Sequence, residues 1–168
     1  AWFDYLNERG VLLDDSWFAQ TPTDLKLFQD FRHAIPVLIN EENSRLGRIK
    51  IGTDMAVSDK HLMEMMVFYK DELERSKIDF VIFGHLGDNH LHINLLPDVN
   101  QVEEAHGLYK KLINRILEWK GTVSAEHGIG KLKKDNFLQM VGELSLRELK
   151  TIKENFDPRF ILGKGNIF

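Results

Sequence analysis

The chain has 168 residues, of which 43% are hydrophobic and none is cysteine. That is enough apolar matter for a packed core in one domain, or one domain with an appendage, and it excludes disulfides and thiolate metal ligands. A formal charge of −4 argues against a surface built to neutralise nucleic-acid phosphates, and no run approaches the roughly 18 apolar residues of a membrane span.

The first twenty residues open with an amphipathic helical turn carrying Trp2, Phe3 and Leu6, which Gly10 stops; Trp17 and Phe18 follow as loop anchors. Ala1 in place of methionine fits a processed or excised chain. No signal peptide is visible, and the expected location is cytoplasmic, peripheral to a membrane only through a longer enzyme. Thr21-Pro22-Thr23-Asp24 reads as a helix entry with a capping-box pattern. The helix is expected to turn Leu25, Phe28, Phe31 and Ile35 inward until Pro36 disturbs it, with residues 40–48 as a polar loop. Lys50 to Val57 is an expected strand, and Ser58 opens a helix running to about Arg75, with Leu62, Met65, Met66, Tyr69 and Leu73 on one stripe. A hairpin follows, with strands at about 79–86 and 90–96. A helix over 101–119 turns Val102, Ala105, Leu108, Leu112, Ile116 and Trp119 inward, and Thr122 to Ala125 form a short strand.

The order strand, helix, strand, strand, helix, strand predicts an α+β fold of the ferredoxin-like, split βαβ type, an antiparallel sheet with helices on one face. Residues 1–48 form an N-terminal helical extension and 49–125 the core. Residues 126–168 add a glycine-punctuated loop, helices at Lys131–Met140 and Ser145–Asn155, and an extended tail.

Chemistry concentrates in two stretches, GHLGDNHLHIN at Gly84–Asn94 and GTVSAEHGIG at Gly121–Gly130. In the second hairpin strand His90, His92 and Asn94 alternate with apolar residues and share one face. With Asp88-Asn89 as a two-residue turn, His85 stands opposite His92, close enough for both imidazoles to bind one ion. Neutral imidazole suits zinc, iron, nickel or copper. A catalytic site holds its ion with about three protein ligands and leaves a position open. Glu126 is the natural third ligand, and His127 beside it is a free base.

These stretches, with FDPRFILGKGNIF at Phe156–Phe168 and the weaker FRHAIP and KIGTDMAV, make the chain resemble the C-terminal, substrate-side domain of FAD-linked 2-hydroxy-acid oxidoreductases. This group of vanillyl-alcohol-oxidase-type flavoproteins includes D-lactate dehydrogenases, the glycolate oxidase flavin subunit and D-2-hydroxyglutarate dehydrogenase. The resemblance implies a divalent metal (Zn, Mn or Fe) on His85, His92 and Glu126, and His127 as the base that takes the substrate hydroxyl proton. It assigns Asn94, Arg32 and Lys50 to substrate. The tail is expected to reach back toward FAD, with Asn166 at the cofactor. Where many relatives read HxGDGNLH, this chain has Asn89-His90 for Gly-Asn, which lets His90 compete as a ligand.

Nothing here resembles an FAD-binding domain, so the resemblance implies that the flavin is held mainly by a separate N-terminal domain of the same enzyme. The other expected partner is a small 2-hydroxy acid, and a homo-oligomer is left open. The alternatives are a free-standing metal or ligand-binding module and, more weakly, a metal hydrolase, since fold does not dictate function.

Overall fold

The computed structural model describes residues 2–11 and 16–168, which fall into two compact units, Ala1–Arg45 and Leu46–Phe168.

The first unit holds helix α1 (Trp2–Asn7) and helix α2 (Pro22–Arg45). The inward role expected of Trp2 and Phe3 lies outside what is described of their side chains. The capping box at the start of α2 is present, with Asp24 N–H donating to Thr21 Oγ1 at 3.2 Å and Thr21 N–H to Asp24 Oδ2 at 2.9 Å. Pro36 does not end α2, which continues nine residues to Arg45. Proline removes one backbone donor, a loss that the exposed helix absorbs without ending. The polar stretch read as a loop is therefore mostly helical, with the Arg45 guanidinium reaching back to Glu42 at 2.5 Å. The stripe expected to face inward is largely exposed at Leu25, Phe31 and Ile35. Trp17 packs its ring against Phe28 and Phe31, at centroid distances of 6.1 and 5.7 Å.

The second unit is built on an antiparallel sheet. Strands β1 (Ile51–Gly52) and β2 (Met55–Ala56) pair with one side of β4 (His90–Leu95), and β3 (Phe80–His85) pairs with the other. The pairs Ile51↔Leu95 and Met55↔Leu91 belong to one register, so β1 and β2 are a single strand interrupted at Thr53-Asp54. There the Thr53 hydroxyl accepts the Ile93 N–H at 2.9 Å. The strand expected at Thr122–Ala125 reduces to one bridge, Ala56↔Thr122, because Ser124 N–H turns back onto Thr122 Oγ1 at 3.3 Å.

Helices α3 (Leu62–Ser76) and α4 (Val102–Glu118) cover one sheet face. Met65, Tyr69 and Leu73 recur every fourth residue, and Ala105, Leu108, Leu112 and Ile116 recur every third or fourth, the spacing of one helix face. All are buried in one core with Ile51, Met55, Ile93 and Leu95. Of the expected stripe, Met66 is 40% exposed. Helix α5 (Lys134–Phe156) is broken at Gly142, whose φ of 71° and ψ of 171° leave the helical region, and so contains the two expected helical pieces. The tail is turned rather than extended: the Asp157 carboxylate accepts the N–H groups of Ile161 and Leu162 at 3.0 and 2.9 Å.

Candidate metal centre

The hairpin turn departs from the expected two residues. Leu86–Asp88 form a 3₁₀ turn, closed by Asn89 at φ 52°. A two-residue type I′ turn needs positive φ at both central residues, and Asp88 does not adopt it. The register is therefore His85↔His90 and Phe83↔His92, not His85↔His92. The displacement is two residues, so every side chain keeps its face, and His85, His90 and His92 still share one side of the sheet. Asn89 is held by its amide on Asp59 at 2.5 Å and by its carbonyl, which accepts the Val57 N–H at 3.3 Å. Gly84 permits the crossing here, since a Cβ on it would lie 2.2 Å from the His90 carbonyl oxygen.

The face opposite the two helices is covered by the loop after Thr122, which brings Glu126 onto the histidines. Its Oε1 lies 2.9 Å from His85 Nε2 and 3.6 Å from His90 Nδ1, and its Oε2 lies 3.6 Å from His92 Nε2. The four residues offer ligand atoms all within 4.8 Å of one another. Two ligands about 2.2 Å from one ion stand at most about 4.4 Å apart, so small side-chain rotations complete the set. The tautomer of His92 supports the fit. Its Nδ1 faces the Thr53 carbonyl at 3.3 Å, which only accepts, so Nδ1 carries the hydrogen and Nε2 presents a lone pair. Burial pushes the His92 imidazole below its ordinary pKa, with the His90 and His127 charges acting the same way against the Thr53 carbonyl and the Asp54 charge. A neutral nitrogen lone pair directed at a carboxylate is an arrangement that a cation relieves. His127 stacks on His92, with ring centroids 5.0 Å apart, and is exposed on its outer side.

The organising residue of this loop is Asp54, which sequence reasoning missed. It is 1% exposed. Its Oδ2 accepts from Lys133 Nζ at 2.6 Å, from the His127 N–H at 3.0 Å and from the Ser124 hydroxyl at 3.0 Å. Its Oδ1 accepts from the Glu126 N–H at 3.2 Å and faces His90 Nε2 at 2.9 Å. Burial by itself pushes the Asp54 carboxyl up, but Lys133, the two backbone N–H groups and Ser124 together hold it well below the usual carboxylate range. The available signal was an aspartate inside a strand, where the residue is depleted, and a lysine closing the GIGKLK segment.

Asn94 is half-buried on the histidine face, across from Gly52. Lys50 precedes β1, about 13 Å along the strand from Asp54, and borders a cavity with His106, Tyr109 and Asn136. Arg32 is exposed on α2, in the first unit. Asn166 closes a tail turn, donating its N–H to the Gly163 carbonyl at 3.0 Å.

A family model described as FAD linked oxidases, C-terminal domain, matches residues 8–167. The chain belongs to this family. It is 32% identical over 126 residues to a probable mitochondrial D-lactate dehydrogenase of Danio rerio, covering 73% of this chain and 25% of that protein. To the glycolate oxidase subunit GlcD of Bacillus subtilis it is 28% identical, covering 74% of this chain and 28% of the relative. To a D-2-hydroxyglutarate dehydrogenase of Stutzerimonas stutzeri it is 35% identical, covering 54% and 20%. The chain thus spans about a quarter of the length of these relatives, and the motif-based assignment to the C-terminal domain of FAD-linked 2-hydroxy-acid oxidoreductases is borne out. No helix among the described residues is long and apolar enough to cross a membrane.

Proposed function

We propose that this chain supplies the substrate half of an FAD-dependent dehydrogenase that oxidises a D-2-hydroxy acid of the lactate, glycolate or 2-hydroxyglutarate type to the 2-oxo acid. The observation that carries the reading is the convergence of His85, His92 and Glu126 within one ion's reach, with His127 stacked beside them. When bound, a divalent ion there (Zn, Mn or Fe) would supply a Lewis acid to the substrate's hydroxyl and carboxylate oxygens, and FAD, held mainly by an N-terminal domain, an acceptor for the hydride.

In this reading His127 accepts the hydroxyl proton as the carbon–hydrogen bond breaks. Its Nε2 lies 4.0 Å from Glu126 Oε2, so the base stands beside the carboxylate that would hold the ion. Asp54 fixes the backbone of both Glu126 and His127, so ligand and base keep one spacing. Asn94 faces the same side and is assigned to the substrate; Arg32 and Lys50 are the candidates for its carboxylate, and Asn166 for the cofactor.

Metal content by plasma mass spectrometry, after loading with Zn or Mn, tests the site in the chain itself. Near-stoichiometric metal is expected, and its loss in both His85→Ala and Glu126→Ala at unchanged circular dichroism. In an enzyme joined to its FAD-binding domain, His127→Gln is expected to lower kcat on D-lactate or D-2-hydroxyglutarate by about 10²–10⁴-fold with metal content unchanged. Full turnover by His127→Gln overturns the assignment of the base.

A further inference from the structure

One histidine of the hairpin has no part in that reading. His90 is 3% exposed, on the same face as His85 and His92. Its Nε2 is 2.9 Å from Asp54 Oδ1, and its Nδ1 is 3.6 Å from Glu126 Oε1. The other partners of Asp54 are an ammonium, two backbone N–H groups and a hydroxyl. A carboxylate so surrounded acts as an acceptor, so the hydrogen of the pair sits on His90 Nε2. In its neutral form the ring then points its second nitrogen, Nδ1, as a lone pair toward the Glu126 carboxylate 3.6 Å away. His92 repeats the pattern, with its outer nitrogen on the Thr53 carbonyl and its inner one facing Glu126. An imidazole whose outer N–H is tied to a carboxylate or a backbone carbonyl, with its other nitrogen free, is the usual setting of a metal-ligating histidine.

We propose that His90 is a fourth protein ligand, so that the ion in this chain is held by His85, His90, His92 and Glu126, with Asp54 orienting His90. The proposal rests on the metal reading above and deepens it. The four ligand atoms already lie within 4.8 Å of one another. Four protein ligands change which ion can serve. Zinc with four protein ligands is tetrahedral and closed, as in structural sites. A 2-hydroxy acid that binds through both hydroxyl and carboxylate requires two further positions. The ion that fits is therefore one that accepts six ligands, such as Mn²⁺, Fe²⁺ or Co²⁺. Three imidazoles also disfavour Mg²⁺ and Ca²⁺, which select oxygen donors.

The test counts imidazoles on the ion in the 168-residue chain, by X-ray absorption on the Co(II) form and pulsed electron paramagnetic resonance on the Cu(II) form. Three imidazoles are expected, with the weak visible bands of six-coordinate Co(II), which shift on addition of D-lactate or D-2-hydroxyglutarate. His90→Asn is expected to show two imidazoles and Co(II) binding weakened by about 100-fold or more, beyond the roughly 10–100-fold typical of losing an outer partner, which Asp54→Asn measures in parallel. Because His90 is buried, the variant is read only if its circular dichroism matches the parent; the count on the parent needs no variant. Stoichiometric metal with two imidazoles in the parent overturns the proposal and leaves the three-ligand site standing. A parent that takes up no metal overturns both.

Discussion

Asp54→Asn removes one charge and almost no volume, and the structure sets what that should cost. An amide keeps one acceptor oxygen. If that oxygen stays with Lys133, Ser124 and the His127 N–H, the new NH₂ group confronts the Glu126 N–H and His90 Nε2. The buried His90 ring and the part-buried Glu126 N–H then lose their acceptor, at up to about 1–3 kcal/mol each. In the flipped orientation the Lys133 ammonium, whose side chain is only 15% exposed, loses its carboxylate. Breaking a buried pair from one side costs about 3–5 kcal/mol. Both orientations therefore predict a loss on the order of 3–5 kcal/mol. At about 2–4 °C per kcal/mol for a chain of this size, Tm should fall by roughly 6–20 °C in circular-dichroism melts of chelator-treated protein. The pH dependence supplies a second check. The folded carboxyl titrates below its ordinary range, so its stabilisation is fully present above the unfolded pKa of about 3.9 and is lost as pH falls from there toward the folded value. Asparagine does not titrate, so the gap between parent and variant should narrow below about pH 4. A Tm drop under about 3 °C, or a gap unchanged down to about pH 3, would refute the view that Asp54 organises the loop.

Gly84→Ala should destabilise the second unit by at least the roughly 1–3 kcal/mol of an overpacked site, because its Cβ meets backbone, 2.2 Å from the His90 carbonyl oxygen and 2.9 Å from Leu91 Cα; urea unfolding measures it, and a neutral result rejects the close approach. Asp157→Asn should speed amide hydrogen exchange at Ile161 and Leu162 while leaving the melting of the core unchanged. The Lys153 hydrogen bond, with the Leu162 and Ile161 N–H groups, holds the Asp157 carboxyl below its ordinary pKa despite desolvation. In the parent, protection of those two amides should therefore fade as pH drops below about 3.9, and protection that persists into strong acid contradicts the assignment.

Much of this fold follows from local patterns. The spacing of Met65, Tyr69 and Leu73, and of Ala105, Leu108, Leu112 and Ile116, identifies the covering helices because a helix buries the residues that recur along one side. Alternation in His90–Leu95 assigns the histidines to the face away from the core. That assignment survives an incorrect pairing, since a register shift of two residues preserves the faces while a shift of one reverses them. Thr21 and Asp24 mark the start of α2 through contacts three residues apart.

The remaining features depend on partners far apart in the chain. The register of the hairpin follows from the backbone of Asn89, held by a side chain 30 residues away. The continuation of α2 past Pro36 is a case where the loss of one backbone donor is tolerated, which the sequence around Pro36 does not record. Asp54 reads in the sequence as one acidic residue within the strand expected at Lys50–Val57. It becomes the centre of the site because Ser124, Glu126, His127 and Lys133, 70 to 79 residues later, all bring donors to it. Residue type and periodicity specify which face a side chain occupies, but the electrostatic environment of a buried carboxylate is created by whatever else the fold delivers to that place.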